Sequence, residues 1–439
     1  MELGVALVYT TKFTKYSAHI LTAALEHELP RLRIELVPLD RVLDVVERLR
    51  SLSRRYRRIV IGFAFLTMHV PLVRDLVRLI REHVPNAILV AGGPHATGDP
   101  VGTLLKLGFD IVVYGEGEET ARELIEALEE GRDPRDVCGV AYRDGDRVVL
   151  RLRKRRVDLD RYPPFPHWRG LFNPIEIMRG CSSCCYFCQV CYMFGPPRYR
   201  SVDSVVEYAE LMWRRGLRDL RFIAPNSFAY GSADGIRPEP SKLIDLLERL
   251  RAVANRYGGR IFLGTFPSEV RPDSVDRDLV REVRRYVDNR RVIVGAQSGS
   301  DRVLKLIHRG HTVSDVVNAV EVLRAYGFEV DVDIVIGLPG ETEEDIRQTL
   351  DLCRKLVALG ARIHVHTFMP LPGTPFDDAP PGRVDEWVRR EIAKLIGLGR
   401  AYGYWMQQEA LARLIASLRE EGLIYTKRRQ AKFLTVRPC

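Results

Sequence analysis

Long apolar stretches are missing from this sequence of 439 residues. No uncharged run approaches the length of a membrane-spanning helix, and the first residues lack the pattern of a secretory signal peptide. We therefore expect no membrane span, no secretory leader and a cytoplasmic location. In that compartment, clustered cysteines serve as metal ligands more often than as a disulfide framework.

The sequence also lacks an excess of acidic residues, since its formal net charge is +9. Basic residues gather at 151–156 and at 427–429. Such runs could meet RNA or an acidic substrate. The alternative is a solvated, arginine-rich surface of the kind that thermophiles carry. No RNA-binding motif accompanies the charge, so the solvated surface is favoured and nucleic acid is only a possible partner.

The first 140 residues lack the G-x-G-x-x-G loop of dinucleotide-binding folds. They alternate short apolar runs with amphipathic stretches, and strands are predicted at 4–9, 34–38, 58–65, 87–91 and 110–114. This rhythm predicts a doubly wound parallel sheet of the flavodoxin-like (Rossmann-like) order 2-1-3-4-5. Ligands of such sheets bind at the carboxyl ends of the strands, where this chain has glycine-rich loops at 92–97 and 115–119.

A hairpin pattern at 139–150 and a proline-rich connector at 162–168 predict a domain boundary. The alternation then resumes, with strands predicted at 175–178, 219–224, 260–265, 291–296, 330–337 and 362–368. Six β/α units predict a partial (β/α)6 barrel of the TIM type, with its chemistry at the C-terminal ends of the strands. The predicted domains are 1–140, a hairpin and linker at 141–170, the barrel at 171–376, and a helical C-terminal extension with a basic tail at 377–439.

Five of the eight cysteines lie between positions 181 and 191, directly after the first predicted barrel strand. Cys181, Cys185 and Cys188 have the spacing C-x3-C-x2-C, and three thiolates leave one iron of a cubane iron–sulfur cluster open. Cys184, Cys188 and Cys191 have the same spacing, so spacing alone leaves two frames. A zinc site is less expected, because zinc ligands usually come as two separated pairs. The cysteines at 138, 353 and 439 are expected to be structural, as buried thiols or in a loose terminus.

These motifs resemble the radical S-adenosylmethionine (SAM) superfamily, and within it the class with an N-terminal cobalamin-binding-type domain. The resemblance spans 3–376. In the barrel it rests on CYFC at 185–188, GAQSGS at 295–300, RGHT at 309–312, IGLPGET at 336–342 and PLPGTP at 370–375. In the first domain it rests on GGPH at 92–95 and YGEGE at 114–118. The family's aromatic before the third cysteine, and Arg179-Gly180 before the first, favour the frame Cys181, Cys185 and Cys188.

The resemblance implies that these three cysteines hold a [4Fe–4S] cluster and that SAM chelates the open iron. One electron from the cluster would cleave SAM to a 5′-deoxyadenosyl radical, while the protein positions the cofactors and excludes water. The implied SAM contacts are Phe187, Glu269, Gln297, Ser298, Gly337, Phe368 and Met369. Further candidates near the SAM amine are Asn226 and Ser227.

The residues that the resemblance implies for cobalamin are Gly92, Gly93, His95, Gly115 and Gly117. The chain lacks the D-x-H-x-x-G loop that supplies an imidazole to cobalt in many cobalamin proteins, and loop 10–17 contains neither His nor Asp. His69 and His95 are the alternatives for that ligand, although each also suits a turn or a core position. Cobalamin binding is thus expected by analogy of fold.

The first expectation for function is a cobalamin-dependent radical SAM enzyme that transfers a methyl group to an unactivated carbon. A second is a rearrangement, carbon–carbon bond formation or sulfur insertion that uses SAM alone. A third is a non-catalytic iron–sulfur sensor or an RNA-binding protein. Methylthiolation of tRNA is less expected, because the first domain has only Cys138 to offer a second cluster.

The partners that these functions imply are a substrate and an electron donor such as ferredoxin or flavodoxin. The sequence does not name the substrate, which is a small molecule or a macromolecule. His364 and His366 alternate along the sixth barrel strand, so both are candidates to touch it.

Overall fold

The computed structural model describes residues 3–439. The chain divides into two compact units. The first consists of Met1–Asn173, Leu371–Asp378 and Leu414–Cys439, and the second of Pro174–Pro370 and Ala379–Arg413. In chain order, both stretches of the second unit lie between stretches of the first. The linear boundaries that we expect near 140, 170 and 376 stay predictions.

The amino-terminal stretch of the first unit alternates strands with helices. Its strands are β1 (Leu3–Tyr9), β2 (Ile34–Pro38), β3 (Arg58–Ala64), β4 (Ala87–Gly92), β5 (Ile111–Val113), β6 (Val140–Asp144) and β7 (Arg147–Leu152). Its helices are α1 (Lys15–Glu28), α2 (Val42–Ser53), α3 (Val70–His83), α4 (Gly93–Gly98), α5 (Pro100–Leu105) and α6 (Glu118–Glu129). The parallel order β2-β1-β3-β4-β5 confirms the predicted flavodoxin-like sheet.

The middle of this sheet is covered on both faces. β1 and β3 each bury five consecutive residues, which is the pattern of parallel strands between two layers of helices. The predicted hairpin forms as β6 and β7, with Gly145 and Asp146 in the turn. β6 also pairs antiparallel with β5, so the hairpin extends the same sheet. A mostly parallel sheet with antiparallel strands at one edge is a common arrangement.

The second unit repeats the alternation with shorter strands. These are β8 (Ile175–Glu176), β9 (Met178–Arg179), β10 (Arg198–Tyr199), β11 (Asp219–Ile223), β12 (Arg260–Phe262), β13 (Arg291–Gln297), β14 (Glu329–Ile336), β15 (Arg362–Thr367) and β16 (Ala401–Tyr402). The helices are α7 (Val190–Phe194), α8 (Val202–Arg214), α9 (Pro240–Tyr257), α10 (Arg277–Arg284), α11 (Asp301–Leu306), α12 (Val313–Ala325), α13 (Glu343–Ala358) and α14 (Glu386–Gly397). α12 begins at a capping box of Thr312 and Asp315.

The strands of the second unit form an open partial barrel. β12, β11 and β8 make one parallel group, and β13, β14, β15 and β16 make another, in those orders. Parallel bridges between Ala224 and Ser268 and between Val270 and Val294 continue the pairing from one group to the next. The predicted barrel is confirmed, and β16 adds a short seventh strand. None of the helices within residues 3–439 is both long and apolar enough to cross a membrane.

The C-terminal tail belongs to the sheet of the first unit. After α15 (Trp405–Glu420) and α16 (Lys427–Gln430), the strand β17 (Leu434–Pro438) pairs in parallel with β7. Cys439 forms a disulfide with Cys138, 301 residues earlier. The expectation that Cys138 and Cys439 are buried free thiols or lie in a loose terminus is therefore wrong. The strand β17 brings Cys439 beside the segment that precedes β6.

Part of the basic runs serves the fold of the first unit. Arg153 lies 3.4 Å from Glu119 and 2.5 Å from Glu123. The guanidinium of Arg429 lies 4.1 Å from the centre of the Tyr425 ring. Arg153 is thus largely covered within the first unit, whereas Arg429 stacks on a ring but stays exposed.

The fully buried carboxylate of Asp99 binds the backbone of the C-terminal stretch. Its two carboxylate oxygens accept the backbone N–H groups of Gly102 and Tyr425, each at 2.7 Å. Burial raises the pKa of Asp99 to about 7, and Asp377 adds to the rise, while the two N–H groups and Arg429 oppose it. The folded chain thus holds the proton of Asp99 more tightly than the unfolded chain does.

We expect the free energy of unfolding to fall as the pH rises through this range. The stabilisation that Asp99 contributes is complete below the ordinary carboxyl pKa near 3.9. It is lost as the pH rises from there through the raised pKa, at a rate of at most about 1.4 kcal/mol per pH unit. Chemical denaturation between about pH 4 and about pH 8 measures the slope. It should flatten in Asp99→Asn and persist in Asp146→Asn, whose side chain is fully exposed. A slope that survives in Asp99→Asn would assign the effect to other groups.

Candidate functional site

The cysteine segment after β9 contains two kinds of cysteine. Cys184 and Cys191 form a disulfide, with their Cα atoms 5.0 Å apart. Cys181, Cys185 and Cys188 are free thiols. The expectation that clustered cysteines serve as metal ligands and not as a disulfide framework is thus wrong for Cys184 and Cys191. Since that pairing uses two members of the alternative frame, only the frame of the three free thiols is available to a cluster.

The spacing of the free thiols does not suit a single zinc ion. Among residues 3–439, Cys181, Cys185 and Cys188 do not form a set of ligand atoms within 4.8 Å of one another. Two sulfurs on one zinc ion, each at about 2.3 Å, lie no more than about 4.6 Å apart. The three thiols therefore do not meet the geometry of a single-ion site. Burial raises the pKa of the Cys188 thiol to about 12, so iron binding as the thiolate releases a proton.

Residues that follow β13 hold the cysteine segment in place. The backbone N–H of Tyr186 donates to the carbonyl of Ile307 at 3.0 Å. The Tyr186 ring stacks on the His308 ring, with centroids 5.3 Å apart and planes 5° apart. Nδ1 of His308 lies 2.8 Å from the carbonyl oxygen of Ser183, so this nitrogen is the one that carries a proton. Strand-end loops that are distant in sequence thus fix one another.

Two buried arginines complete this support. Arg271 donates to Ser183 Oγ at 2.7 Å and to the carbonyl of Arg309 at 2.8 Å. Nη1 of Arg309 lies 3.6 Å from Cys185 Sγ, and its Nη2 donates to the carbonyl of Gly295 at 2.7 Å. A cluster bound through Cys185 would therefore meet a fixed positive charge, which suits the negative charge of thiolate and sulfide ligands.

Burial alone would lower the pKa of the Arg309 guanidinium. The neighbouring Cys185 and Glu269 outweigh that effect and hold the pKa above its usual range. Burial raises the pKa of the Glu269 carboxyl, and Arg309 opposes the rise. The two side chains therefore stabilise each other's charge beside the cysteine segment.

Three polar side-chain ends gather over Gly295, near the end of β13. A Cβ at this position would lie 2.6 Å from Arg309 Nη2, 2.8 Å from Gln297 Nε2 and 3.3 Å from Glu269 Oε2. Gln297 follows a register shift in β13 and has a φ of 75°, so its side chain leaves the regular alternation of the strand. We call Glu269, Gln297 and Arg309 with Gly295 the Gly295 cradle. Glu269 and Gln297 are predicted SAM contacts, whereas sequence reasoning assigned no role to Arg309.

The other predicted SAM contacts differ in accessibility. Phe187 and Met369 are half-buried. Ser298 is fully buried and Phe368 is 2% exposed. The hydroxyl of Ser298 lies 3.3 Å from Thr349 Oγ1, so its hydrogen bonding is directed into the protein. In this structure Ser298 and Phe368 support the wall of the site, and direct contact with SAM stays a prediction for all four.

Gly337, at the end of β14, accommodates the protein's own backbone. It has a φ of 79°, and a Cβ there would lie 2.7 Å from the backbone nitrogen of Arg383. Its N–H donates to Glu341 Oε2 at 2.8 Å. The close approach that calls for glycine is therefore made by the segment after the barrel, and an approach by SAM stays a prediction.

Asn226 and Ser227 act as supports. Asn226 is fully buried and donates to Ser274 Oγ at 2.7 Å, while its Oδ1 accepts the N–H of Arg271 at 3.2 Å. Ser227 Oγ donates to the carbonyl of Glu269 at 3.1 Å. These bonds position the arginine and the carboxylate that flank the cysteine segment.

The first unit has a glycine-lined edge at the carboxyl ends of β4 and β5. Gly92, Gly93, Gly115 and Gly117 are all half-buried there. Thr97 Oγ1 accepts the N–H of Gly115 at 3.1 Å and so joins the two loops. Four glycines present backbone in place of side chains, which fits a broad, flat ligand such as a corrin ring at the ligand-binding edge of this fold.

Neither candidate histidine presents an accessible nitrogen lone pair in this structure. His95 is fully buried, with Nδ1 3.2 Å from Thr67 Oγ1 and Nε2 enclosed without a hydrogen-bond partner. Burial lowers the pKa of His95 to about 3, so the ring is neutral. Nδ1 of His69 accepts the N–H of Leu66 at 3.3 Å, which places the proton on Nε2. Both rings therefore agree with the missing D-x-H-x-x-G loop.

Comparison with known proteins settles the family. The model of the radical SAM superfamily matches residues 175–353, and that of the B12 binding domain matches residues 4–125. A tRNA-2-methylthio-N(6)-dimethylallyladenosine synthase from Halorhodospira halophila is 30% identical over 356 residues, which are 79% of this chain and 68% of that protein. The chain belongs to the radical SAM superfamily.

Two further matches to this radical SAM protein cover different shares of the chain. The uncharacterized protein MK0932 of Methanopyrus kandleri is 30% identical over 335 residues, which are 66% of this chain and 62% of that protein. The radical SAM methyltransferase TsrM from Kitasatospora setae, solved with cobalamin and a [4Fe–4S] cluster bound, superposes with a TM-score of 0.67. That match covers 86% of this chain and 74% of TsrM at 20% identity.

These findings confirm the predicted family, the α/β fold and the enzyme class. They also confirm the expected cofactors of the two matched regions, a [4Fe–4S] cluster with SAM for the barrel and cobalamin for the first domain. The assignments of individual residues to those cofactors stay predictions. Arg271, His308 and Arg309 are the residues that sequence reasoning missed; Arg309 lies in the quoted RGHT motif, but the motif does not reveal its neighbour Cys185.

Gly295→Ala is expected to slow the cleavage of SAM in this radical SAM protein. The added methyl group overlaps the guanidinium of Arg309, which must then leave both Cys185 and the carbonyl of residue 295. A misplacement of about 1 Å in a reacting site costs on the order of 100-fold in rate. Isotope-dilution mass spectrometry of 5′-deoxyadenosine measures the loss, and Gly397→Ala is the control, since no atom lies within 4 Å of a Cβ there. Equal activity of both variants would show that the cradle does not position the reacting groups.

Proposed function

We propose that this protein is a cobalamin-dependent methyltransferase that acts on an unactivated carbon of its substrate. The observation that carries the proposal is one chain with a B12 binding domain and a radical SAM barrel with one set of free clustered thiols. The cluster, held by Cys181, Cys185 and Cys188, would supply one electron that cleaves SAM to methionine and a 5′-deoxyadenosyl radical, which takes a hydrogen atom from the substrate carbon. Cobalamin would supply the methyl group, and a second electron from the donor with a second SAM would restore it. Overall, the substrate carbon loses a hydrogen atom and gains a methyl group.

The Gly295 cradle suits the amino-acid end of SAM. The carboxylate of Glu269 would accept N–H groups of the SAM ammonium, while Arg309 and Gln297 would donate to its carboxylate. A cradle with one anion and one cation matches a zwitterion in charge. Phe187 and Met369 are half-buried and have surface left to contact the adenine ring.

The glycine-lined edge would bind cobalamin without an imidazole from His69 or His95. The electron would come from a small redox protein such as ferredoxin or flavodoxin, in the cytoplasm. The outward-facing basic residues are a reasonable contact for such donors, which are acidic proteins.

Methylthiolation of tRNA is the second candidate, because a relative at 30% identity carries that name. That chemistry would need thiolates for a second cluster in the first unit. The two cysteines of this unit, Cys138 and Cys439, form a disulfide. The pairing therefore favours methyl transfer over methylthiolation.

The test uses anaerobically reconstituted protein, a chemical reductant and SAM labelled with deuterium in its methyl group. We expect bound cobalt, formation of 5′-deoxyadenosine, and label in the cobalamin extracted from the protein. Gly117→Trp should lose cobalt but keep its iron, because residue 117 has room for a side chain and the tryptophan fills the proposed surface. 5′-Deoxyadenosine without cobalt or label transfer would favour the reaction that uses SAM alone. Absence of 5′-deoxyadenosine would contradict the proposed chemistry.

A further inference from the structure

Asp333, His364 and His366 bring three ligand atoms together inside the second unit. Asp333 on β14 is the register partner of His364 on β15, and His366 follows on the same face of β15. Nδ1 of His364 lies 2.8 Å from Asp333 Oδ1 and 3.1 Å from His366 Nε2. His366 Nε2 lies 3.7 Å from Asp333 Oδ1. Within residues 3–439, this is the one set of three such ligand atoms that lie within 4.8 Å of one another.

These distances fit a single metal ion. The point equidistant from the three atoms lies about 1.9 Å from each, so an ion with bonds of about 2.0–2.2 Å sits about 1 Å out of their plane. We propose that Asp333, His364 and His366 form an exchangeable site for a divalent transition-metal ion, such as Zn²⁺, Mn²⁺ or Fe²⁺. Two imidazoles and one carboxylate on one face leave the remaining coordination positions open.

The ligands are reachable from solvent and their rings are oriented. The side chains of His364, His366 and Asp333 are 24%, 25% and 15% exposed. The ring of Tyr402 stacks on His364 with centroids 4.5 Å apart and planes 7° apart. The hydroxyl of Tyr402 donates to Asp331 at 2.8 Å, which fixes the stacked ring in turn. The site thus has a rigid wall and an open side.

The charges around the site favour a cation. Arg291 and Arg362 approach Asp331, at 3.5 and 4.0 Å. Asp333 has its ion-pair contacts with the two histidines. A divalent ion would therefore meet a carboxylate whose charge is not already matched by an arginine at contact distance.

Gln408 explains why the site is exchangeable. Its Oε1 accepts the backbone N–H of Thr367 at 2.9 Å, so its amide N–H group faces His366 Nδ1 at 3.0 Å. This contact places the proton of His366 on Nε2, the atom that a metal ion needs. A tightly held metal ligand instead donates its second N–H to an acceptor. The ion must displace that proton and shift Gln408, which weakens binding.

The site goes beyond the proposed methyl transfer and does not depend on it. Its open positions suit a substrate with oxygen or nitrogen donors, such as a carboxylate, hydroxyl or amine, held by the ion inside the barrel unit. An ion that exchanges readily can arrive and leave with such a substrate.

The test is equilibrium dialysis of the full-length, cluster-loaded protein against Zn²⁺ alone and Mn²⁺ alone, with bound metal counted by mass spectrometry. We expect one equivalent in addition to the cluster iron, and at least a tenfold loss of affinity in Asp333→Asn and His364→Gln. His83→Asn, at an exposed helix position, should bind as the parent protein does. Circular dichroism reports whether each variant is folded.

Gln408→Glu provides a gain that misfolding cannot imitate. Glutamate keeps an acceptor for Thr367 N–H and offers a second acceptor to a proton on His366 Nδ1. We expect it to tighten metal binding by about 10–100-fold, the usual worth of such a partner. If the parent protein and Gln408→Glu both bind no stoichiometric metal, or if Asp333→Asn and His364→Gln leave binding unchanged, the proposal is overturned. The three residues are then a hydrogen-bonded group without an ion, a result that leaves methyl transfer unaffected.

Discussion

Cys181→Ala, Cys185→Ala or Cys188→Ala is expected to abolish the iron–sulfur cluster and SAM cleavage. Each removes one of three thiolates, and two thiolates do not hold a cubane cluster with one open iron. Iron and sulfide content, the electron paramagnetic resonance signal of the reduced cluster, and the yield of 5′-deoxyadenosine measure the outcome. All three should fall to the level of the sample without iron.

Cys184→Ser and Cys191→Ser are the matched controls, because they lie in the same segment but form a disulfide with each other. Both variants should keep the cluster and SAM cleavage, with a less constrained segment as the main change. The contrary result, loss of the cluster in Cys191→Ser with retention in Cys181→Ala, would move the ligand frame by three residues. Retention of the full cluster in all five variants would exclude both frames.

Arg309→Gln is expected to lower the reduction potential of the cluster and to slow SAM cleavage. The guanidinium lies 3.6 Å from Cys185 Sγ in a buried position, where it stabilises the more negative, reduced cluster. A buried charge-assisted hydrogen bond contributes about 1.5–3 kcal/mol, which bounds the shift at roughly 60–130 mV for one electron. A redox titration followed by electron paramagnetic resonance measures it.

Arg309→Lys keeps the charge and should recover part of the potential, although lysine lacks the second arm that reaches Gly295. Arg354→Gln removes an arginine from the surface of α13 and serves as the control for net charge. If Arg309→Gln changes stability but leaves the potential where it is, the residue is a packing element and not an electrostatic partner of the cluster.

Features that are local in sequence could be predicted from it. The order of the first five strands follows from alternating apolar and amphipathic segments, and the six strands of the barrel follow from the same rhythm. The cysteine segment could be recognised from its C-x3-C-x2-C spacing, and the aromatic residue before Cys188 selected the frame whose thiols are free in the structure. Thr312 and Asp315 are three residues apart, so their capping box could be recognised directly.

Contacts between distant segments could not be predicted. Arg309 is 124 residues from Cys185, and Asp333 is 31 residues from His364, so their meeting depends on strand order and register. Gly337 shows a second limit, because the glycine was recognised but the partner that approaches it is the backbone at Arg383. The strand β17 was hidden for a third reason, since five residues with an arginine and a proline resemble a polar tail more than a sheet strand.

The return of β17 to β7 has a consequence for how the chain is made. During synthesis, the nascent strands β1 to β7 leave the ribosome long before the edge strand that pairs with β7. The barrel segments are translated in the interval and can fold while the first sheet still lacks its partner. Removal of residues 428–439 would therefore damage the sheet of the first unit, although β1 to β7 are translated far earlier, and would spare the cysteine segment.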